Sequence, residues 1–86
     1  MGIAKISNRT KGYGKQALLL MLEYGFHYMG LERITANTLD INIGAQKCLE
    51  KCNFVLEGTE REAVYLNGKK RNRLCYAVLR EEFNKR

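Results

Sequence analysis

The chain has 86 residues, which is enough for one small domain with a modest hydrophobic core. Hydrophobic residues make up 45% of the chain and charged residues 28%. This composition excludes an intrinsically disordered protein. The net charge of +6 favours an anionic partner, and nucleic acid, a membrane surface and a polyphosphate cofactor all satisfy that condition.

The cysteines and the N-terminus indicate where the protein works. Three irregularly spaced cysteines argue against a disulfide framework and for a reducing compartment. The first residues lack the charged segment, apolar core and cleavage site of a signal peptide. The longest wholly apolar run, residues 17–22, is too short to span a bilayer. We therefore expect a soluble, cytoplasmic protein with no membrane partner.

The first half of the chain alternates strands and helices. Weak alternation predicts a strand over residues 1–6, and a polar, glycine-bearing loop follows over residues 7–14. From Lys15, apolar residues at helical spacing predict a mostly buried helix. This helix is expected to end at Gly30, because a left-handed residue is favoured there. Residues 31–39 then predict a second strand.

The second half adds a helix and a hairpin. Either Asp40 or Asn42 can cap a helix that Asn53 ends, and its apolar stripe is Ala45, Cys48, Leu49 and Cys52. Another strand begins at Phe54. The pair at residues 67–68, Asn-Gly, is typical of a type I′ turn and predicts an antiparallel hairpin. The fold class is α/β with a mixed, α+β-type sheet, in the order strand-helix-strand-helix-strand-strand.

The loop between the first strand and the first helix carries the clearest chemistry. The first turn of a helix offers unpaired N–H groups and the positive end of the helix dipole, which together favour an anion. Gly12 and Gly14 let the backbone approach a phosphate closely. Arg9, Lys11 and Lys15 surround the loop with positive charge. An ordinary strand-to-helix turn with basic residues facing water is the alternative.

Two familiar phosphate loops do not fit this segment. A P-loop needs Ser or Thr after Gly-Lys, but Gln16 follows Gly14 and Lys15, and the dinucleotide fingerprint needs a third glycine. The segment resembles the pyrophosphate loop of the GNAT acetyltransferases, whose pattern is Arg/Gln-x-x-Gly-x-Gly/Ala. Arg9, Gly12 and Gly14 occupy its three fixed places.

The resemblance continues from about Ile3 to Phe83 and is closest to the ribosomal-protein and spermidine N-acetyltransferase branch. The further matching segments are residues 30–34, Asn42 with Ala45, residues 53–54, residues 57–61, and Asn67-Gly68 with Tyr76. It implies that residues 1–86 form a single domain equivalent to the C-terminal half of an acetyl-CoA-binding GNAT domain.

The resemblance also implies a binding site for acetyl-CoA as cosubstrate, without a metal. The first two strands would be parallel neighbours that splay apart, and the pantetheine arm would pair with the first strand. The loop amides would hold the pyrophosphate. Asn42 would orient the pantetheine arm or its acyl carbonyl, and the alternative is that helix capping is its whole role. Ala45 would leave room for the cofactor beside the second helix. The implied cofactor-binding residues are Ile3, Ala4, Lys5, Arg9, Lys11, Gly12, Tyr13, Gly14, Lys15, Asn42 and Ala45.

This chain departs from the family in ways that bear on catalysis. Many family members have a proton-donating Tyr four residues after the Ala, where this chain has Leu49. Family members are about twice as long, and the missing strands and helices supply most of the acceptor pocket and often the general base. We expect transfer of acetyl to a primary amine of a protein N-terminus, a polyamine or a similar acceptor, with the catalytic residues unknown. The alternative is a non-catalytic CoA-binding or interaction module.

Three further features have simpler explanations. Cys48 and Cys52 stand on one helix face, and with the single His27 they lack the spacing of a zinc site, so we expect core thiols. The basic run at residues 69–73 is expected to be a solvated hairpin arm, and nucleic acid is an unlikely partner because the run lacks interleaved aromatics. A homodimer is expected because residues 1–6 would form an unpaired edge.

Overall fold

The computed structural model describes the backbone of residues 2–7 and the whole of residues 14–84. Its elements follow the predicted order, with one short helix added at the end. They are β1 (Gly2–Ser7), α1 (Lys15–Glu23) running on into a π-helical turn (Tyr24–Tyr28), β2 (Leu31–Leu39), α2 (Ile43–Lys51), β3 (Val55–Leu66), β4 (Lys69–Leu79) and α3 (Arg80–Asn84).

The four strands form one mixed sheet in the order β1-β2-β4-β3. β1 and β2 are parallel, as predicted, and the other two pairings are antiparallel. The predicted splay between β1 and β2 is wrong for the described residues, because pairing runs from Gly2 opposite Leu31 to Ser7 opposite Asn37. The pairing has one irregularity, between Gly2 and Ile3, and is continuous from Ile3 to Ser7.

Both long helices lie on one face of the sheet. The crossover from β1 through α1 to β2 and the crossover from β2 through α2 to β3 run in the same direction across the sheet. Since such crossovers are almost always right-handed, the two helices share a face, and they contact each other there. The core between this face and the helices consists of Leu18, Leu22, Phe26, Leu31, Ile34, Ala36, Leu49, Cys52, Phe54, Tyr76, Val78 and Phe83.

The π-helical turn after α1 sits unusually close to the sheet. Gly25 is buried there, and a Cβ atom at this position would lie 2.9 Å from Cδ1 of Ile34. The wider turn is supported by Arg80, whose Nη2 donates to the carbonyl oxygen of Phe26 at 2.6 Å. Gly30 then ends the helix with a φ of +69°, the left-handed conformation expected at this position.

The hairpin of β3 and β4 extends beyond the helices as an arm. Its turn has Asn67 at φ +54° and Gly68 at φ +77°, which confirms the predicted type I′ geometry. A bulge in β3 places Glu62 at φ +51°, and its N–H donates to Oδ1 of Asn72 at 2.9 Å. The basic run lies on this arm, where Arg73 pairs with Glu60 at 2.8 Å. Exposed pairs of this kind contribute at most about 1 kcal/mol.

Two further features of the described residues concern the cysteines and the length of the helices. Cys52 is fully buried and Cys48 half-buried against the core, as predicted for thiols that fill space. None of the helices in residues 14–84 is long and apolar enough to cross a membrane.

Candidate functional site

The topology brings two helix N-termini to the same edge of the sheet. β1 and β2 are parallel neighbours, so their carboxyl ends lie side by side. α1 starts after the first of these ends, and α2 starts after the second. In open sheets with this winding, ligands bind outside the carboxyl ends of the strands. Both helix dipoles direct their positive ends to this edge, which therefore suits an anionic ligand.

The N-terminus of α1 is open to an anion. Gly14 is its N-cap, in an extended conformation, and it provides no side chain to occupy the first N–H groups. Its carbonyl oxygen accepts the first helical bond from the N–H of Leu18 at 3.0 Å. The first turn contains no acidic residue, and Lys15 is exposed beside it. Among the described residues no side chain caps the first N–H groups, which together with the lysine form a cationic end.

The N-terminus of α2 is shaped by Asn42. Its Oδ1 accepts a hydrogen bond from the N–H of Ala45 at 3.1 Å, so the predicted cap is present and Asn42, rather than Asp40, provides it. Gln46 holds the preceding turn, because its Nε2 donates to the carbonyl oxygens of Leu39 at 3.2 Å and Asp40 at 3.0 Å. With Oδ1 engaged in the cap, the Nδ2 group of Asn42 is the part that can donate to a ligand.

Two buried side-chain oxygens near the carboxyl end of β2 have unused hydrogen-bonding capacity among the described residues. Oγ1 of Thr38 and Oδ1 of Asp40 are buried without a hydrogen-bond partner in the described part of the chain. The other carboxylate oxygen of Asp40 accepts from the N–H of Asn72, at 3.4 Å. Buried polar groups are normally paired, so these two oxygens require water or a ligand group.

The predicted cofactor-binding residues fall into three groups. Gly14 and Lys15 begin α1, and Asn42 and Ala45 begin α2, so these four meet at one edge of the sheet. Ala45 is buried, and its N–H is engaged in the cap. Lying outside the described residues are Arg9, Lys11, Gly12 and Tyr13.

The third group, Ile3, Ala4 and Lys5, lies in the middle of β1. In a parallel pair, every second residue directs its backbone groups to the neighbouring strand. β1 pairs with β2 along its whole length, so on that side these groups are already bonded to protein. An arm that paired there would have to replace β2.

The position where many family members have a tyrosine is apolar here. Leu49 is buried in the core and offers no proton. Tyr76 is buried on β4, where burial raises the pKa of its hydroxyl and the Glu50 carboxylate raises it further. Among residues 14–84, no three His, Cys, Asp or Glu side chains come together as metal ligands do. The absence of a metal and the identity of the catalytic residues stay predictions.

Sequence reasoning predicted none of the four ion pairs among the described residues, and one of them crosses the sheet. Arg33 on β2 forms a two-pronged pair with Glu57 on β3, with Nη1 and Oε2 2.9 Å apart. The hydrogen bond lowers the pKa of the Glu57 carboxylate and raises the pKa of the Arg33 guanidinium. Both residues stood in the matched segments, but a contact across an intervening strand leaves no local sequence signal.

A family model and several relatives match this chain. A model described as "Acetyltransferase (GNAT) domain" matches residues 2–55. The probable N-acetyltransferase YjcK of Bacillus subtilis is 35% identical over 73 residues, which cover 85% of this chain and 40% of that protein. The uncharacterized N-acetyltransferase YnaD of the same organism is 33% identical over 76 residues, covering 88% and 45%.

Solved structures show the same similarity. A chimera of the Vibrio cholerae spermidine N-acetyltransferase SpeG with hSSAT has a TM-score of 0.79 at 25% identity, covering 84% of this chain and 45% of that one. A GNAT-family acetyltransferase from Bacillus anthracis has a TM-score of 0.73 at 30% identity, covering 84% and 43%. This chain thus spans less than half the length of each of these proteins.

Proposed function

This chain belongs to the GNAT acetyltransferase family, and we propose that it binds acetyl-CoA at the sheet edge where α1 and α2 begin. The observation that carries the proposal is the N-terminus of α1, which lies at the end of a parallel strand with no side-chain cap and no acidic residue. A pyrophosphate group matches such an end in charge and in its capacity to accept hydrogen bonds.

Two parts of the coenzyme, the pyrophosphate and the acyl-bearing arm, have a place in this proposal. The backbone N–H groups from Lys11 to Lys15 hold the pyrophosphate, and Arg9 adds a charge-assisted contact. At α2, Nδ2 of Asn42 donates to a carbonyl oxygen of the pantetheine arm or of the acetyl group, while its Oδ1 keeps the helix capped. The observed hydrogen bond from the N–H of Ala45 to Oδ1 supports this division of one amide between cap and ligand.

The proposed reaction is transfer of acetyl to a primary amine without a covalent enzyme intermediate. The amine nitrogen attacks the thioester carbonyl carbon, the bond from that carbon to sulfur breaks, and CoA leaves as a thiolate. The nitrogen loses one proton and the thiolate gains one. The protein contributes by positioning the thioester and by polarising its carbonyl. The acceptor is a protein N-terminus, a polyamine or a similar amine, and spermidine appears in the name of the similar SpeG structure described above.

The 86-residue chain alone is expected to transfer acetyl weakly or not at all. Leu49 supplies no proton to the departing thiolate. The relatives are more than twice as long as the part that this chain matches, and the acceptor site is proposed to need those additional residues. The three cysteine thiols suit a reducing cytoplasm, which is the proposed location.

Calorimetric titration of the chain with CoA tests the proposal. We expect measurable binding that Gly12→Val weakens at least tenfold, because a Cβ branch then occupies the space that the phosphate needs. Gly58→Val is the matched control, since a Cβ at Gly58 meets no atom within 4 Å and β3 lies away from the site. No heat with millimolar CoA would refute the proposal. Unchanged affinity in a folded Gly12→Val variant would show that the pyrophosphate binds elsewhere.

A further inference from the structure

The hairpin arm carries a concentration of positive charge. Residues 60–73 include five Lys or Arg residues and two Glu residues, so this segment accounts for half of the chain's net charge of +6. The turn at Asn67 and Gly68 and the register between β3 and β4 determine where these side chains lie. The arrangement of charge is therefore a property of the hairpin itself.

Three of the basic residues lie on one face of β4. Tyr76 and Val78 of this strand belong to the core under the helices, and β4 pairs with β2 without a shift in register. Because side chains alternate along a strand, Lys69, Arg71 and Arg73 lie on the face directed away from the helices. We call these three residues the basic face.

Two of these three cations have no acidic partner among the described residues. Arg73 pairs with Glu60 at 2.8 Å, whereas none of the ion pairs includes Lys69 or Arg71. Arg71 is half-buried, and its Nε is shielded from solvent without a hydrogen-bond partner within residues 14–84. Since buried donors are normally paired, Nε of Arg71 requires an acceptor from water or from a ligand.

The neighbours of Lys69 and Arg71 on β3 restrain these two side chains. Leu66 is directly opposite Lys69 in register and Val64 is directly opposite Arg71, and both apolar residues are half-buried on an otherwise exposed strand. Long basic side chains cover such neighbours with their methylene stems and keep their charged ends in water. The two charged ends are thus held along the strand, at positions about 6.8 Å apart.

From this geometry we propose that the basic face binds an extended acidic peptide in which carboxylate side chains alternate with uncharged ones. Side chains two residues apart in an extended peptide are also separated by about 6.8 Å, so two carboxylates match Lys69 and Arg71. The guanidinium of Arg71 can bind a carboxylate through two parallel hydrogen bonds. The proposal concerns a protein partner and does not rest on coenzyme binding.

The composition of the basic face favours a peptide over a single-stranded nucleic acid. Proteins that bind such strands combine cations with aromatic side chains on which the bases stack. The single aromatic residue of segment 60–73 is Tyr65, which is directly opposite Lys70 in register and therefore lies on the other face. The neighbours of the two free cations are the aliphatic residues Val64 and Leu66.

An NMR titration of the chain with a short blocked peptide of alternating Glu and Ala tests the proposal. We expect saturable shifts of the backbone amides of residues 69–73 at low salt, and none with the corresponding peptide of alternating Gln and Ala. Binding should weaken as salt is added, because exposed charges are screened over a distance of about 10 Å at 0.1 M.

Matched variants separate the basic face from net charge alone. Arg71→Gln should weaken peptide binding about tenfold, because it removes a charge-assisted pair of hydrogen bonds. Lys70→Gln is the control, since it removes the same charge from the adjacent residue but on the other face, and it should leave the affinity nearly unchanged. Lys69→Gln, at an exposed position of the basic face, should also weaken binding and provides a second test if Arg71→Gln disturbs the fold.

Three results would overturn the proposal. The first is the absence of shifts with the acidic peptide at millimolar concentration. The second is an equal loss of affinity in Lys70→Gln and in the two variants of the basic face, which would show that net charge alone attracts the peptide. The third is tighter binding of a single-stranded oligonucleotide of the same charge to residues 69–73, which would assign this surface to nucleic acid.

Discussion

Replacement of Asn42 separates the two roles proposed for this residue. In Asn42→Ala the N–H of Ala45 loses its acceptor, and loss of an N-cap costs about 1 kcal/mol, within a range of about 0.5–2. For a domain of this size, about 1 kcal/mol lowers Tm by about 4–8 °C. We expect this variant to lose both stability and affinity for CoA.

Asn42→Asp keeps the cap and removes the donor. A carboxylate still accepts from the N–H of Ala45, and its charge interacts favourably with the helix dipole by about 0.3–1 kcal/mol. It has no N–H group to donate, and it repels an anionic ligand. We therefore expect a Tm equal to or above that of the unchanged chain, together with CoA affinity at least tenfold weaker, a loss of about 1.4 kcal/mol.

Thermal unfolding and calorimetry on the same preparations provide the two measurements. Asn42→Ser is the uncharged control, because serine caps a helix but has no amide to donate. Full affinity in both Asn42→Asp and Asn42→Ser would show that capping is the whole role of Asn42, and would refute our assignment of Nδ2 to the ligand.

Two further predictions concern the core. Gly25→Ala should lower the free energy of unfolding by up to about 2 kcal/mol. Overpacking against Ile34 costs about 1–3 kcal/mol, whereas the higher helix propensity of alanine offsets about 1 kcal/mol of that cost. Ile34→Val removes the Cδ1 atom that a side chain at residue 25 would contact. Urea denaturation should therefore show the double variant to be about 1 kcal/mol more stable than the sum of the two single changes in free energy of unfolding predicts. Strict additivity would contradict the close packing. Stability should also fall as pH rises above about 10, since the unfolded chain loses the Tyr76 proton before the folded chain does. Tyr76→Phe should flatten this decline, and an unchanged profile would contradict the assignment.

Local chemistry made several turns predictable from sequence. The structure has left-handed conformations at Gly30, Asn53 and Gly68, where the pattern required them. Each of these residues tolerates positive φ at little cost, so at a helix end or in a hairpin turn it is favoured where the left-handed conformation is needed. The same reasoning could not find the left-handed Glu62, because the bulge that requires it depends on pairing with β4.

Features that depend on distant residues were not predictable. The π-helical turn at Tyr24–Tyr28 contains a buried glycine, and Arg80 donates a hydrogen bond to the carbonyl oxygen of Phe26 in it. Arg80 is 54 residues away from Phe26 in sequence. Periodicity predicted one uninterrupted and mostly buried helix, which is wrong on both points. The buried residues among residues 15–28 are Leu18, Leu22, Gly25 and Phe26. At the site, the cap by Asn42 followed from residue type, whereas the parallel pairing of β1 and β2, which brings the two helix N-termini together, was expected only from the family resemblance.

We propose that the N-termini of α1 and α2 together form the acetyl-CoA site. A heteronuclear NMR titration of the 86-residue chain with acetyl-CoA tests it residue by residue. We predict saturable shifts of the backbone amides of residues 14–17 and of the side-chain amide of Asn42, with little change along the hairpin arm at residues 61–72. Shifts confined to the basic arm, or no shift at millimolar acetyl-CoA, would contradict the account.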